Sequence, residues 1–201
     1  MSKVIFNYGV MNSSKTAQLL MTNYNYISSG RTTVLIKPAM EDRSGKRVIA
    51  SRVGIKDNAD ILIDANETNR ALIKKELLKA VYLTDDVESN VGAILVDEAQ
   101  FFSKDTIKML VRVSRDLEIQ IMFYGLLKNF QNELFEGSKA LIESADSIIE
   151  IKTTCIKCER KATCNIRLVN GSPVYDGDEV EIGGNESYVS VCAHHYYNFE
   201  N

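Results

Sequence analysis

Apolar and polar positions along the first three quarters of the chain fall into two alternating rhythms. "KVIFNY" (3–8) is a short apolar run, as in a strand buried on both faces, and the apolar part of "GAILVDEAQFF" (92–102) reads as a buried strand; "TVLIK" (33–37), "DILID" (60–64), "IQIMFYG" (119–125) and "SIIEI" (147–151) read as further strands. Between them, residues 16–28 place Ala17, Leu20, Met21, Tyr24 and Ile27 at helical spacing. Residues 67–80 set Leu72, Ile73 and Leu77 against Lys74, Lys75 and Lys79. Ser103 is placed to cap a helix through 117, with Asp105 in its first turn and Ile107, Leu110, Val111, Ser114 and Leu117 on one face. Residues 138–145 predict a further helix. The charged stretch 39–60, with Gly45 and Gly54 and little periodicity, reads as a loop-rich excursion. Strands alternating with helices predict an α/β fold with a mostly parallel sheet covered on both faces.

The rhythm changes near residue 152. The segment beyond it is turn-rich ("NGSP", "YDGD") and too poor in apolar residues to hold itself together, so a structural metal is expected there. The boundary divides the chain into a nucleotide-binding part, 1–151, and a small C-terminal part, 152–201.

Residues 9–16, "GVMNSSKT", come directly after the first strand and open the first helix. They match the phosphate-loop pattern G-x-x-x-x-G-K-[ST] except that Ser14 stands in place of the second glycine. In such a loop the backbone N–H groups of Gly9, Val10, Met11, Asn12, Ser13 and Ser14, with the helix N-terminus, surround an anion. Lys15 reaches the β- and γ-phosphates, and the Thr16 hydroxyl is placed to ligate Mg²⁺. If position 14 demands positive φ, serine costs about 1 kcal/mol there; if its Cβ points at the phosphates, it obstructs them.

The strand ending in Asp97 supplies a carboxylate for Mg²⁺, and the adjoining Glu98 is the natural general base. On an extended chain these neighbours point opposite ways and serve different partners. Ala99 and Gln100 complete the nucleotide-binding stretch. ATP, Mg²⁺ and phosphoryl transfer are the expectations these residues raise.

All four cysteines lie in the last quarter. Cys155-x-x-Cys158 and Cys192-x-x-His195 form a Cys₃His set of the kind that closes a structural Zn²⁺ site, leaving no open position for catalysis. Spacing alone favours His195 over His194, and Cys164 is left to pack as a small hydrophobe. The formal charge of −3 and pI near 5.5 give no electrostatic support for nucleic-acid binding. No apolar stretch is long enough to span a bilayer, and no segment reads as a secretion signal, so a cytoplasmic protein is expected.

With "MNSSKT", "DEAQFF", "FQNELFEGS", "CIKCERKA" and "IGGNESYVSVC" in this order, the chain resembles the type II thymidine kinases from about residue 3 to 197. That resemblance implies a RecA-like phosphate-loop domain and a zinc-binding domain carrying a lasso loop. It implies transfer of the ATP γ-phosphate to the 5′-hydroxyl of thymidine, with Glu98 as base and Asp97 as magnesium carboxylate. Arg43, in Glu41-Asp42-Arg43, takes the place of the family's Asp-x-Arg arginine near the phosphates. Met11, Phe101, Leu126, Phe130 and Phe135 fall where the family builds its thymine pocket. Val180, Ile182, Gly183 and Tyr188 fall on the lasso, which closes over the base. A homotetramer and feedback by dTTP are implied in the same way. The chain departs from the family pattern at Ser14, Glu41, Ser44, Asn129 and Ala193. Those departures motivate a second reading, a nucleoside- or nucleotide-binding regulator of the same fold with impaired turnover. A RecA-type ATPase or helicase shares the loop and the "DEAQ" run, but the acidic pI and the lack of an arginine-rich motif count against it.

Overall fold

The structure, a computed structural model, describes residues 2–41, 44–81, 90–177 and 186–199. In chain order the larger part runs β1 (Val4–Tyr8), α1 (Lys15–Ser28), β2 (Thr32–Pro38), β3 (Val48–Ala50), β4 (Lys56–Asn58), β5 (Ile61–Ile63), α2 (Arg70–Val81), β6 (Val91–Val96), α3 (Lys104–Asp116), β7 (Gln120–Gly125), α4 (Glu136–Ser144) and β8 (Ser147–Glu150). Six of these strands form one sheet in the order β5-β2-β6-β7-β1-β8, and every pairing in it is parallel. This is the α/β architecture predicted from the alternation of elements.

Period-two alternation sends neighbouring strand residues to opposite faces. Val34, Ile36, Ile94, Val96, Phe6 and Phe123 pack with the apolar faces of α2, α3 and α4. Leu35, Ala93, Leu95 and Tyr124 pack on the other side with Leu19 and Leu20 of α1. Phe6, Phe102 and Phe123 are at most 1% exposed, and burying each contributes about 1.5–3 kcal/mol. Helix α3 starts as predicted, with Ser103 Oγ accepting the Thr106 N–H at 3.3 Å.

Several local features differ from the sequence expectation. The excursion 39–60 contains an antiparallel hairpin of β3 and β4. Lys56-Asp57-Asn58 is polar and exposed, so nothing in its own pattern marks a strand; Ile49, 1% exposed, anchors the hairpin instead. In α1 the buried face is Ala17, Leu19, Leu20 and Asn23, whereas Met21, Tyr24 and Ile27 form an exposed apolar stripe 56–69% accessible. Asn23 is inward because it donates to Asp57 at 2.9 Å and accepts from Thr33 at 2.6 Å. Helix α2 begins at Arg70, since Asn69 turns the chain and accepts the Leu72 N–H at 3.1 Å, and α4 begins at Glu136, two residues before the predicted start.

The C-terminal part folds as β9 (Cys164–Val169), β10 (Ser172–Val174), β11 (Glu186–Val191) and α5 (Ala193–Tyr197), with the strands antiparallel in the order β10-β9-β11. Its core is small: Ile166, Val191 and Tyr196 with Cys155, Cys164 and Cys192. Cys164 is buried there as a hydrophobe, as its spare position predicted.

Candidate active site and metal centre

Parallel sheets collect their functional loops at the carboxyl ends of the strands. Here the loop after β1 carries residues 9–14, β2 leads to Glu41, β6 leads to Asp97, and β7 leads to Leu126. Together with the β3–β4 hairpin and the second sheet they enclose a cavity of about 660 Å³.

The loop is held in an unusual backbone path. Asn12 and Ser14 take φ of 59° and 64°, in the left-handed region that favours glycine. Ser14 therefore meets the first of its two conditions, the positive φ, and it lines the cavity. Its side chain is exposed and makes no capping bond to the helix it precedes. Gly9 is required for another reason: a Cβ there would lie 2.4 Å from Ser13 Oγ and 2.6 Å from the Ile151 carbonyl. Ser13 is buried beneath it, and its hydroxyl has no hydrogen-bond partner among the described residues. Lys15 Nζ donates to the Val10 carbonyl at 2.8 Å, spanning the loop.

Thr16 Oγ1 donates to Asp97, 3.2 and 3.3 Å from its two carboxylate oxygens. Burial, followed by the charge of Glu98, pushes the Asp97 carboxyl up to about 7; the Glu98 N–H, Thr16 and Lys15 oppose the shift. A buried carboxylate beside a hydroxyl is the hard oxygen pair that suits Mg²⁺. Glu98 departs from the extended chain predicted for it: its φ of 47° is a left-handed turn. That turn, not strand alternation, separates it from Asp97. Gln100 then fixes it, donating to Glu98 Oε2 at 2.6 Å while accepting the Leu126 N–H at 2.9 Å. Ala99 is fully buried behind the site.

Met11, Phe101, Leu126, Phe130, Phe135 and Tyr188 all line the cavity, beside Asn12, Ser13, Ser14, Lys15, Thr16, Asp97, Glu98 and Gln100. Gly9 and Val10 lie at the root of the loop rather than on the cavity wall. Arg43, Val180, Ile182 and Gly183 lie outside the described residues. Four polar residues went unnoticed in the sequence. Lys37, 1% exposed on β2, donates to the Val48 carbonyl at 3.0 Å and pairs with Glu41. Asn165 lines the cavity; Arg167 lies over the Phe130 ring, 4.2 Å from its centroid. Ser190 bonds the Met11 carbonyl. A signal existed for two of them: in "CNIRLV" the polar residues Asn165 and Arg167 recur at period two, so they share a face.

The ligand atoms of Cys155, Cys158, Cys192 and His195 all lie within 4.8 Å of one another. His195 presents Nδ1, 3.4 Å from Cys155 Sγ and 3.5 Å from Cys192 Sγ, and Cys158 Sγ lies 3.9 Å from Cys192 Sγ. Tetrahedral zinc with Zn–S and Zn–N bonds of usual length requires ligand separations of about 3.5–3.8 Å. The cluster can therefore hold such an ion. Burial opposes ionisation of Cys155, but hydrogen bonds from the Cys192 and Lys157 backbone and from His195 outweigh it and bring the thiol down to about 6. His194 is exposed and outside the cluster.

A glycine-led loop after β1, an Asp-Glu pair following β6 and the second sheet close one cavity, the arrangement of an α/β phosphotransferase. The thymidine kinase family profile matches residues 2–196. Thymidine kinase of Streptococcus pyogenes serotype M3 is 40% identical over 200 residues, covering 100% of both chains. That of Streptococcus agalactiae serotype Ia is 40% identical over 198 residues, 98% of each chain. That of Lactiplantibacillus plantarum is 39% identical over 197 residues, 98% of this chain and 96% of its own. The chain belongs to the thymidine kinase family, and its function is that of a thymidine kinase. Neither the family match nor these relatives support the reading of an impaired regulator.

Proposed function

We propose that the chain transfers the γ-phosphate of ATP to the 5′-hydroxyl of thymidine, giving dTMP and ADP for DNA precursor synthesis. The observation that carries this reading is one cavity walled by the phosphate loop, by Asp97 and Glu98, and by apolar side chains suited to a base. The Glu98 carboxylate takes the hydroxyl proton as O5′ bonds to the γ-phosphorus and the bond to the β-phosphate oxygen breaks. Loop N–H groups and Lys15 offset the charge on the transferred group. Thr16 and Asp97 would hold Mg²⁺, which would supply positive charge beside the phosphates. Met11, Phe101, Leu126, Phe130, Phe135 and Tyr188 enclose the thymine, with Val180, Ile182 and Gly183 of the lasso; Arg43 acts near the phosphates.

Zinc at Cys155, Cys158, Cys192 and His195 supplies the stability that the small C-terminal core lacks, so residues 152–201 act as a metal-tied domain beside domain 1–151. The exposed stripe Met21, Tyr24 and Ile27 supports assembly into a homotetramer. dTTP is the expected feedback ligand of the same cavity. No helix among the described residues is long and apolar enough to cross a membrane, which agrees with a cytoplasmic setting. The test is chromatography of purified protein incubated with ATP, Mg²⁺ and thymidine. dTMP should accumulate with Mg²⁺ and not with EDTA; equal product under both conditions refutes the assigned metal role, and none under either refutes the activity.

A further inference from the structure

The register of β9 and β11 sets Asn165 directly opposite Ser190, and both side chains are buried. Cross-strand partners share a face. These two converge on a single residue of the phosphate loop. Asn165 Oδ1 accepts the Met11 N–H at 2.8 Å, and Ser190 Oγ donates to the Met11 carbonyl. Both backbone groups of Met11 are therefore held by side chains from far along the chain, in the way that a neighbouring strand would hold them.

The loop has reason to need this. Asn12 and Ser14 both sit in the left-handed region, and such residues persist only where their surroundings over-determine them. Within the loop, Lys15 braces the Val10 carbonyl. The next residue, Met11, is braced from outside. The strands that deliver the brace also carry or adjoin the cysteine cluster: Ser190 lies two residues before Cys192, and its carbonyl accepts the Ile156 N–H, between Cys155 and Cys158, at 3.1 Å.

We propose that Asn165 and Ser190 are positioning residues for the donor nucleotide, clamping Met11 so that the second sheet sets the shape of the phosphate loop before ATP arrives. The proposal rests on the reading of residues 9–16 as the ATP site. It makes the C-terminal part a support of the donor half of the site as well as a cover for the acceptor half.

Ser190→Ala tests it, because Ser190 touches the loop without lining the cavity. Two readouts are compared with wild type at equal zinc content: amide exchange of residues 10–14, and the affinity for a non-hydrolysable ATP analogue. Loss of one hydrogen bond corresponds to a factor of about three to ten. Exchange in the loop should quicken and the analogue should bind about three- to tenfold more weakly. Exchange in β9 and β11 should stay as in wild type. Ser190→Thr, which keeps the hydroxyl, should restore both readouts. Unchanged loop exchange overturns the clamp, and quickened exchange with unchanged affinity overturns the positioning role. Loss of zinc or of β9 and β11 protection in Ser190→Ala makes Ser190 a general structural residue and also overturns it. If the wild type binds no analogue, the ATP-site reading falls, and loop exchange still decides whether the clamp exists.

Discussion

Replacing Ser14 with glycine should make the protein more stable. Ser14 holds φ 64° and ψ 26°, a left-handed conformation that costs an L-residue roughly 1–2 kcal/mol. Glycine removes that cost but enlarges the conformational freedom of the unfolded chain, which returns about 0.4–1 kcal/mol. The serine side chain is exposed and caps nothing, so its loss sacrifices no hydrogen bond of the helix start. The net gain is about 0.5–1 kcal/mol, which in a chain of this length raises the unfolding midpoint by roughly 1–4 °C. Differential scanning calorimetry of wild type, Ser14→Gly and Ser14→Ala reads it directly. Alanine keeps the strain and serves as the control, so it should show no such rise. A midpoint for Ser14→Gly at or below wild type, or an equal rise in Ser14→Ala, refutes the reasoning that backbone strain is what distinguishes serine from glycine at this position.

Two further perturbations test other parts of the site. Gly9→Ala drives a Cβ to 2.6 Å from the Ile151 carbonyl, backbone that cannot yield cheaply, and to 2.4 Å from Ser13 Oγ. The loop must shift, so titration with an ATP analogue should show at least about tenfold weaker binding, with about 1–3 kcal/mol of lost stability; wild-type affinity would contradict the close approach. Protein purified without added metal should contain about one zinc per chain. Cys158→Ser should bring this near zero, and a loss of even ~2 kcal/mol would lower the unfolding midpoint by roughly 4–8 °C. Elemental analysis and calorimetry check both, and an unchanged midpoint in the zinc-free variant would refute the stabilising role.

The features legible in the sequence were those that local chemistry dictates. The apolar runs marked all six strands of the parallel sheet, and Gly9 to Thr16 marked the tight turn from β1 into α1, because strand, tight turn and helix start each impose their own residue types. The Cys₃His set was legible because metal ligands come at knuckle spacing. Features settled by tertiary contact were not. Strand β4 is polar and exists because β3 pairs with it, and β3 is fixed by the buried Ile49. Met21, Tyr24 and Ile27 sit at helical spacing yet lie outside, because Asn23 turns its face inward to Asp57 and Thr33. The turn at Glu98 reverses the logic of strand alternation, with no glycine or proline to announce it. The contact of Ser190 with Met11 spans 179 positions, and no local pattern encodes it.

The central claim is that Glu98, fixed by Gln100 beside the phosphate loop, is the base in phosphate transfer to thymidine. It is tested most directly by following radiolabelled γ-phosphate from ATP into dTMP with wild type and Glu98→Gln side by side. Loss of a general base typically costs about 10²–10⁴ in rate. Label should enter dTMP with wild type and fall by that factor in the variant, while the affinity for an ATP analogue stays within about threefold. Transfer by Glu98→Gln at the wild-type rate, or wild-type transfer no greater than that of the variant, would contradict the claim.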